Sequence, residues 1–579
     1  MKFLLVGINA KYIHSNLAIH YLKGYCKNYQ EHIAIKEYTI NNQTEAILGD
    51  IFKQRPEAIG FSCYIWNINM IYELAVELKK VLPETKIWLG GPEVSYDGAQ
   101  ILTEHGYIDG VMSGEGEETF QQLMEYYVDK TILLSDIKGI TYRSNEISSS
   151  NIYENAPRTP INLSTVPFPY EDMEEFSNKI IYYETSRGCP YSCSYCLSSV
   201  DKTVRFREIE LVKKELQFFL DHKVPQVKFI DRTFNCKREH TKTIWEYLAK
   251  HDNGVTNFHF EISADIINKE EIELLKTLRP GLVQLEIGVQ STNQETLKAI
   301  HRTMSFNDLA GIVTKINEGR NVHQHLDLIA GLPYEDYDSF KNSFNQVYAL
   351  EPEQLQLGFL KVLKGSYMHH QSKDYGIIYH EKAPYEVLYT RWVSYEQMLQ
   401  LKAIEEMVEV YYNSGQFSWT IRYLEHFFEN PFTMFESLAK YYEENNLFDL
   451  SHSRIKRFEL LLDFYVEVVG KKIEIDDDVF KELLLYDCYL RENRKSKPSF
   501  APQEERLSIA KLREFLKALT SEGKKQVHIE AFTVDVIETA RTGQAVMRDN
   551  ICMFDYEEKL VINNQAKVSE VDKDLLWRT

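Results

Sequence analysis

The sequence predicts an α/β protein in which a doubly wound amino-terminal domain is followed by an incomplete parallel βα barrel and a mostly helical α+β extension. Three observations lead there. Two separate stretches alternate short β-rich runs with amphipathic helical runs, a polar, proline-bearing stretch divides them, and the alternation gives way near residue 371 to long aromatic-rich helical segments. Strands alternating with helices imply parallel sheets covered by helices.

In the first stretch the strand-like runs are FLLVGI, IAIKEYTI, AIGFSCYIW, KIWLGG and DGVMSGEG, with helical runs such as INMIYELAVELKKVL between them. This defines a domain over residues 1–142. Residues 143–175 have no sustained period of either kind and read as a linker. Over residues 176–370 the runs IIYYET, QVKFID, NFHFEI, LVQLEIG, HLDLIAG and QLQLGFLKVL make six βα-type units, enough for a partial (β/α)6 barrel with its functional groups at the carboxyl ends of the strands. Residues 371–579 form the extension. Its aromatic residues at helical spacing read as core, and strands are predicted at QVHIEAFTVDVI, CMFDYE and KLVINN.

Composition narrows the function. With 579 residues, 44% hydrophobic and 26% charged, the chain can bury several cores. A formal net charge of −20 repels phosphate backbones and argues against nucleic acid as a partner, leaving small molecules or peptides. The apolar start is broken at Gly7, before a signal-peptide core forms, and no run approaches membrane-spanning length, so the reading is cytoplasmic. Eight cysteines are too few and too scattered for a disulfide scaffold. Cys26, Cys63, Cys488 and Cys552 read as buried hydrophobes, and so does Cys236 as a bystander beside the strand-end residues.

Three of the eight lie in TSRGCPYSCSYC, as Cys189, Cys193 and Cys196, directly after a predicted strand. A compact loop can point three thiolates at one cuboidal 4Fe-4S cluster, which leaves its fourth iron open for the amino and carboxylate groups of S-adenosylmethionine. A structural zinc site would need a fourth ligand, from His222, Cys236 or His240, and the thiol spacing suits zinc poorly. The three-cysteine spacing, with Tyr195 before the last thiol, resembles that of the radical S-adenosylmethionine (radical SAM) superfamily. Strand-end segments such as FIDRTFN and GLPYE are similar to those of its cobalamin-dependent subfamily.

What the resemblance implies is specific. The three cysteines would hold the cluster. Asp231 and Glu286 would serve in catalysis, while Tyr195, Glu261, Ser263, Glu286, Gln290, Asp327 and Gly331 would contact S-adenosylmethionine or substrate. LGGPEV and SGEGEETF resemble cobalamin-domain turns, placing Ser62, Gly90, Gly91, Gly114 and Gly116 at cobalamin. His14 stands where some such domains carry a cobalt ligand, but Tyr12-Ile-His14-Ser-Asn-Leu17 lacks the partner carboxylate that orients that histidine, so a cofactor held without a protein ligand and a domain that binds none both stay open. The implied function is reductive cleavage of S-adenosylmethionine to a deoxyadenosyl radical, with cobalamin, for radical methylation or rearrangement. An electron donor such as flavodoxin or ferredoxin is implied too. The alternatives are a cobalamin-independent modifier resembling methylthiotransferases, and a non-catalytic cobalamin or redox sensor.

Overall fold

Seven strands make the first sheet: β1 (Phe3–Asn9), β2 (Ile33–Thr39), β3 (Ala58–Ser62), β4 (Lys86–Gly90), β5 (Gly110–Met112), β6 (Ile140–Arg143) and β7 (Ile152–Glu154). The computed structural model describes residues 2–144, 151–170, 172–494, 496–504, 506–521, 526–572 and 576. The sheet order is β2-β1-β3-β4-β5-β6-β7, parallel from β2 to β5 and antiparallel from β5 to β7. Every residue of β1 and β3 is buried, as central strands covered on both faces require. Ile47, Ile71, Leu74 and Leu102, from the helices Thr44–Gln54, Ile68–Val81 and Gly98–Glu104, pack in one core. Ile19, Phe120 and Leu123, from Leu17–Tyr25 and Glu117–Met124, pack in a second. The chain reverses its direction of winding between β1 and β3, and such a switch point opens a ligand crevice at the carboxyl ends of the strands. β7 comes from the stretch read as linker, of which residues 145–150 and 171 lie outside the described residues.

The six runs expected of the barrel are all strands. Interspersed with a short antiparallel pair, β9 (Ser186–Arg187) and β10 (Arg205–Phe206), they are β8 (Ile181–Tyr183), β11 (Gln226–Phe229), β12 (Asn257–Ile262), β13 (Val283–Gln290), β14 (His323–Ala330) and β15 (Gln354–Phe359).

The chain divides into two compact units. The first comprises Met1–Glu286, Leu297–Ser305 and Phe359–Arg391 and carries the order β8-β11-β12 with the start of β13. Its last segment includes β16 (Ile378–Tyr379) and β17 (Val387–Tyr389) and docks on the first sheet's helices and turns. There Asn69 donates to the Ala383 carbonyl at 3.2 Å, and Tyr385 donates to Glu93. The second unit comprises Ile287–Thr296, Phe306–Gly358 and Trp392–Thr579, with the end of β13, then β14 and β15. Its aromatic helices form a core, as expected, with Phe417, Phe432, Phe435 and Phe464 fully buried.

The second unit closes on an antiparallel sheet, β18 (Val527–Val534), β19 (Met547–Lys559) and β20 (Ala566–Val571). KLVINN is not a strand. Leu560 and Val561 are exposed at the turn between β19 and β20, where Asn564 takes a left-handed conformation at φ 53°. Parts of the extension, at 495, 505, 522–525, 573–575 and 577–579, lie outside the described residues. Among the described residues no helix is long and apolar enough to cross a membrane.

Candidate active site

The cysteine loop follows β9, and its backbone is held at several points. Gly188 has φ 91°, and a Cβ there would sit 2.4 Å from the Thr203 carbonyl oxygen, so this position needs glycine. The Cys189 amide donates to Asp201 O at 3.1 Å, the Ser194 amide to Ile300 O at 3.0 Å, and the Met368 amide to Ser194 O at 2.7 Å. Burial pushes the Cys193 thiol up in pKa; the Arg302 guanidinium opposes that, and the Cys196 and Cys189 sulfurs lie close enough to add to it. Arg302 also donates to the Tyr195 hydroxyl at 3.4 Å, fixing the aromatic residue between the second and third thiols.

Of the fourth ligands considered for a closed zinc site, both histidines are bonded elsewhere, while the Cys236 thiol lies near that of Cys189. His222 Nδ1 bonds the Phe218 carbonyl, and His240 Nε2 lies 3.0 Å from Thr185 Oγ1. Among the described residues no group of three or more His, Cys, Asp or Glu side chains is arranged to hold a single metal ion. The donor set is three neighbouring thiols, which fits a three-cysteine cluster.

The strand-end residues divide into those that serve the loop and those that face outward. Asp231 is fully buried, and its oxygens accept from the Thr185 amide (3.0 Å), Thr185 Oγ1 (2.6 Å) and Ser186 Oγ (2.6 Å). It therefore orders the Thr185–Ser186 turn that leads to the cysteines and does not present a carboxylate to substrate, as the catalytic assignment requires. Glu286 is half-buried, accepts from Lys228 Nζ at 3.1 Å and lies 3.0 Å from His259 Nε2. Ser263 is tied to Asn235 by reciprocal bonds of 2.8 and 2.9 Å and donates to Asp265, while Glu261 sits half-buried one residue before the end of β12.

In the second unit, Gln290 ends β13 at φ 71°, buried, with no partner for its side-chain carbonyl oxygen among the described residues. His325 Nε2 lies 3.0 Å from Asp327, and Gly331 follows β14 at φ 87°. Glu335, of GLPYE, accepts from Ser291 and Ser343 at 2.6 and 2.9 Å, and burial raises its carboxyl to about 7.

A cavity of about 450 Å³ in the first unit opens at the carboxyl ends of β3 and β4. Ser62, Gly90, Gly91, Gly114 and Gly116 all line it, together with Glu184, Arg187, Ile230 and Arg232 from the ends of barrel strands and their loops. Glycines leave the backbone open to a broad planar ligand, so these turns fit a corrin ring. At Gly91 (φ 118°) an added Cβ would lie 2.5 Å from the Cys63 carbonyl oxygen, whereas at Gly114 (φ 77°) it would meet nothing within 4 Å. Gly91→Ala is therefore expected to cost about 3 kcal/mol and Gly114→Ala about 1 kcal/mol, read as melting-temperature shifts of the two variants.

His14 does not line the cavity. Its Nδ1 is 2.6 Å from the Tyr182 hydroxyl, and burial lowers its pKa with help from Lys11 and Lys228. The absent partner carboxylate is replaced by a tyrosine, and the cobalt-ligand assignment does not fit this placement.

Sequence reasoning missed a charge cluster that begins on the cavity wall and runs outward from it. Arg187 pairs with Glu184 at 2.9 Å and Glu117 at 2.6 Å, while Arg205 pairs with Glu115 at 2.7 Å and Asp201 at 3.1 Å. Burial pushes Glu184 up to about 7 against the pull of Arg187. The cluster joins the GEGEE turn to the cysteine loop. The only signal for it was the density of acids in GEGEE, because their partners lie 70 to 90 residues away.

Comparison with known proteins agrees with this geometry. Residues 4–124 match the B12 binding domain, residues 183–347 the Radical SAM superfamily, and residues 373–554 a protein family of unknown function, DUF4080. Over 307 residues the chain is 26% identical to the cobalamin-dependent radical SAM methyltransferase TokK of Streptomyces tokunonensis, an alignment covering 50% of this chain and 45% of that protein. It thus spans less than half the length of this curated relative.

Among solved structures, the cobalamin-dependent S-adenosylmethionine radical enzyme OxsB with aqua-cobalamin bound superposes with a TM-score of 0.58 at 16% identity, over 94% of this chain and 77% of that one. The radical S-adenosylmethionine methyltransferase TsrM of Kitasatospora setae, with cobalamin and a [4Fe-4S] cluster, gives 0.55 at 16% identity, over 67% and 82%. These likenesses establish the fold. The cofactors that accompany the two matched domains are a 4Fe-4S cluster with S-adenosylmethionine, and cobalamin. The chain therefore combines a region matching the B12 binding domain, a region matching the Radical SAM superfamily and a carboxy-terminal region of the DUF4080 type.

Proposed function

We propose that the protein is a cobalamin-dependent radical SAM enzyme that methylates a small-molecule or peptide substrate. The observation that carries this reading is the shared cavity. Glycine turns of the B12-binding domain and strand ends of the barrel line one space, and Arg187 on its wall stands two residues before Cys189. When bound, the cluster and S-adenosylmethionine supply reductive carbon–sulfur cleavage, and cobalamin supplies a methyl group.

The chain's own residues hold the parts in register. Cys189, Cys193 and Cys196 take the cluster, with Arg302 and Tyr195 ordering their loop. Asp231 fixes the approach to that loop. Gly91 lets the turn after β4 pack against Cys63, Gly114 leaves the cavity lining open, and the Arg187 cluster links the glycine turns to the loop. Glu261, Ser263, Glu286, Gln290, Asp327 and Gly331 are assigned to S-adenosylmethionine and substrate. The domains are taken as 1–142 for cobalamin, 143–175 as connector, 176–370 for radical chemistry and 371–579 as the extension. The setting is cytoplasmic, with a flavodoxin or ferredoxin as electron donor.

Anaerobic reconstitution with iron, sulfide and hydroxocobalamin, followed by removal of unbound ligand and metal analysis, tests the reading. It requires about four irons and about one cobalt per chain, and cleavage of S-adenosylmethionine to 5′-deoxyadenosine under reducing conditions. Zinc in place of iron, or iron without cobalt, would overturn it.

A further inference from the structure

We propose that the second unit carries a separate binding site for a small organic cation with an apolar body, in a cavity of about 550 Å³ at the amino-terminal ends of β14 and β15. The tract before β15 contributes Glu353, the DUF4080 region contributes Tyr412 and Glu425, and the β19–β20 turn, which lies beyond that region, completes the lining. β14 spans eight residues, so at about 3.3 Å per residue its two ends lie roughly 23 Å apart. Asp327 lies midway along the strand and Gly331 just past its far end, so a guest in this cavity is separate from the residues assigned to S-adenosylmethionine and substrate.

The charge balance of the wall sets the ligand class. Glu425 accepts from the Tyr348 hydroxyl, and Glu353 accepts from the Gln324 amide at 2.7 Å; neither has an ion-pair partner among the described residues. The wall's two arginines are engaged by groups other than these carboxyls. Arg422 pairs with Glu351 at 3.1 Å, and Arg491 donates to the Ser414 and Gly415 carbonyls at 3.0 and 2.8 Å. Burial raises both carboxyls, Glu425 to about 7, with Tyr348 and Arg422 pulling that one down and Glu351 pushing it up. Two half-buried carboxyls without an ion-pair partner, one of them offset only at a distance by Arg422, favour a guest that brings a positive charge. The rings of Tyr348 and Tyr412, with centroids 4.8 Å apart, offer π-faces and an apolar wall to an ammonium or guanidinium compound.

The test uses the full-length chain and three probes of one shape: phenethylamine, its neutral analogue phenethyl alcohol, and the anion 3-phenylpropionate. Calorimetric titration at pH 8 should show saturable binding of the amine, with the other two at least about tenfold weaker. Glu425→Gln and Glu353→Gln keep side-chain shape, and each should weaken the amine about tenfold with circular dichroism unchanged. Equal binding of the three probes, no saturable binding of the amine, or unchanged affinity in both variants would overturn the proposal. Should the variants unfold, the comparison of probes on the wild type decides alone. No iron or cobalamin enters the readout, so this site stands or falls separately from methyl transfer.

Discussion

Arg187→Ala is expected to destabilise the first unit by about 3–5 kcal/mol. The guanidinium is 16% exposed and sits between Glu184 and Glu117, which are 10% and 5% exposed. Removing it leaves two enclosed carboxylates without their counter-charge, a state that costs far more than the ion pair itself contributes. Arg187→Lys keeps the charge but reaches the two carboxylates with a single ammonium, so an intermediate loss is expected. Glu115→Gln should be mild, since Glu115 is 21% exposed and Arg205 keeps Asp201. Urea unfolding ranks the three variants. A loss under about 1 kcal/mol for Arg187→Ala would mean that water or a rearranged side chain satisfies the acids, and the link between the GEGEE turn and the cysteine loop would then carry little.

The second large effect concerns the thiols. Cys189→Ala, Cys193→Ala and Cys196→Ala should each strip most of the iron from reconstituted protein and lower S-adenosylmethionine cleavage by at least about a hundredfold. Loss of a group that merely orients a metal ligand already costs 10- to 100-fold. Stability before reconstitution should change little for Cys193 and Cys196, which are half-buried. Cys236→Ala is the control. Its thiol is raised to about 11, chiefly by burial and then by the Cys189 sulfur, so it is a neighbour of the loop, but it lies outside the three-thiol motif and should leave iron content intact. Iron retained in all three triad variants would remove the basis for the cluster assignment.

How legible these features were depended on the range of the interactions that make them. The barrel strands could be read because each is a short apolar run bounded by helical sequence, a local property. β7 could not, since three residues within a polar stretch become a strand only by pairing with β6. KLVINN misled because Leu560, Val561 and Ile562 form a β-like run, while the left-handed Asn564 makes the segment a turn. The strand that does complete that sheet, AKVSEV, has too few apolar residues to announce itself.

The same division holds at the site. The thiol spacing and glycine turns are local patterns, and the glycine turns do line the cavity. Whether Asp231 faces substrate or loop depends on Thr185 and Ser186, 46 and 45 residues away, and the position of His14 is set by Tyr182. No reading of neighbours in sequence supplies those contacts.

The first unit is not continuous in sequence, and this bears on the order in which the cell can build it. Its long opening segment ends at Glu286, yet its last segment, Phe359–Arg391, leaves the ribosome up to 105 residues later. At roughly 5–20 residues per second this is a wait of about 5–20 s. Throughout most of it the cysteine loop lacks the Met368 amide that clasps Ser194. A nascent chain thus exposes its three thiols before the backbone around them is set. Delivery of iron and sulfide is best matched to a released chain, and a slow stretch of translation between residues 286 and 368 would lengthen the period in which those thiols are open to oxidation.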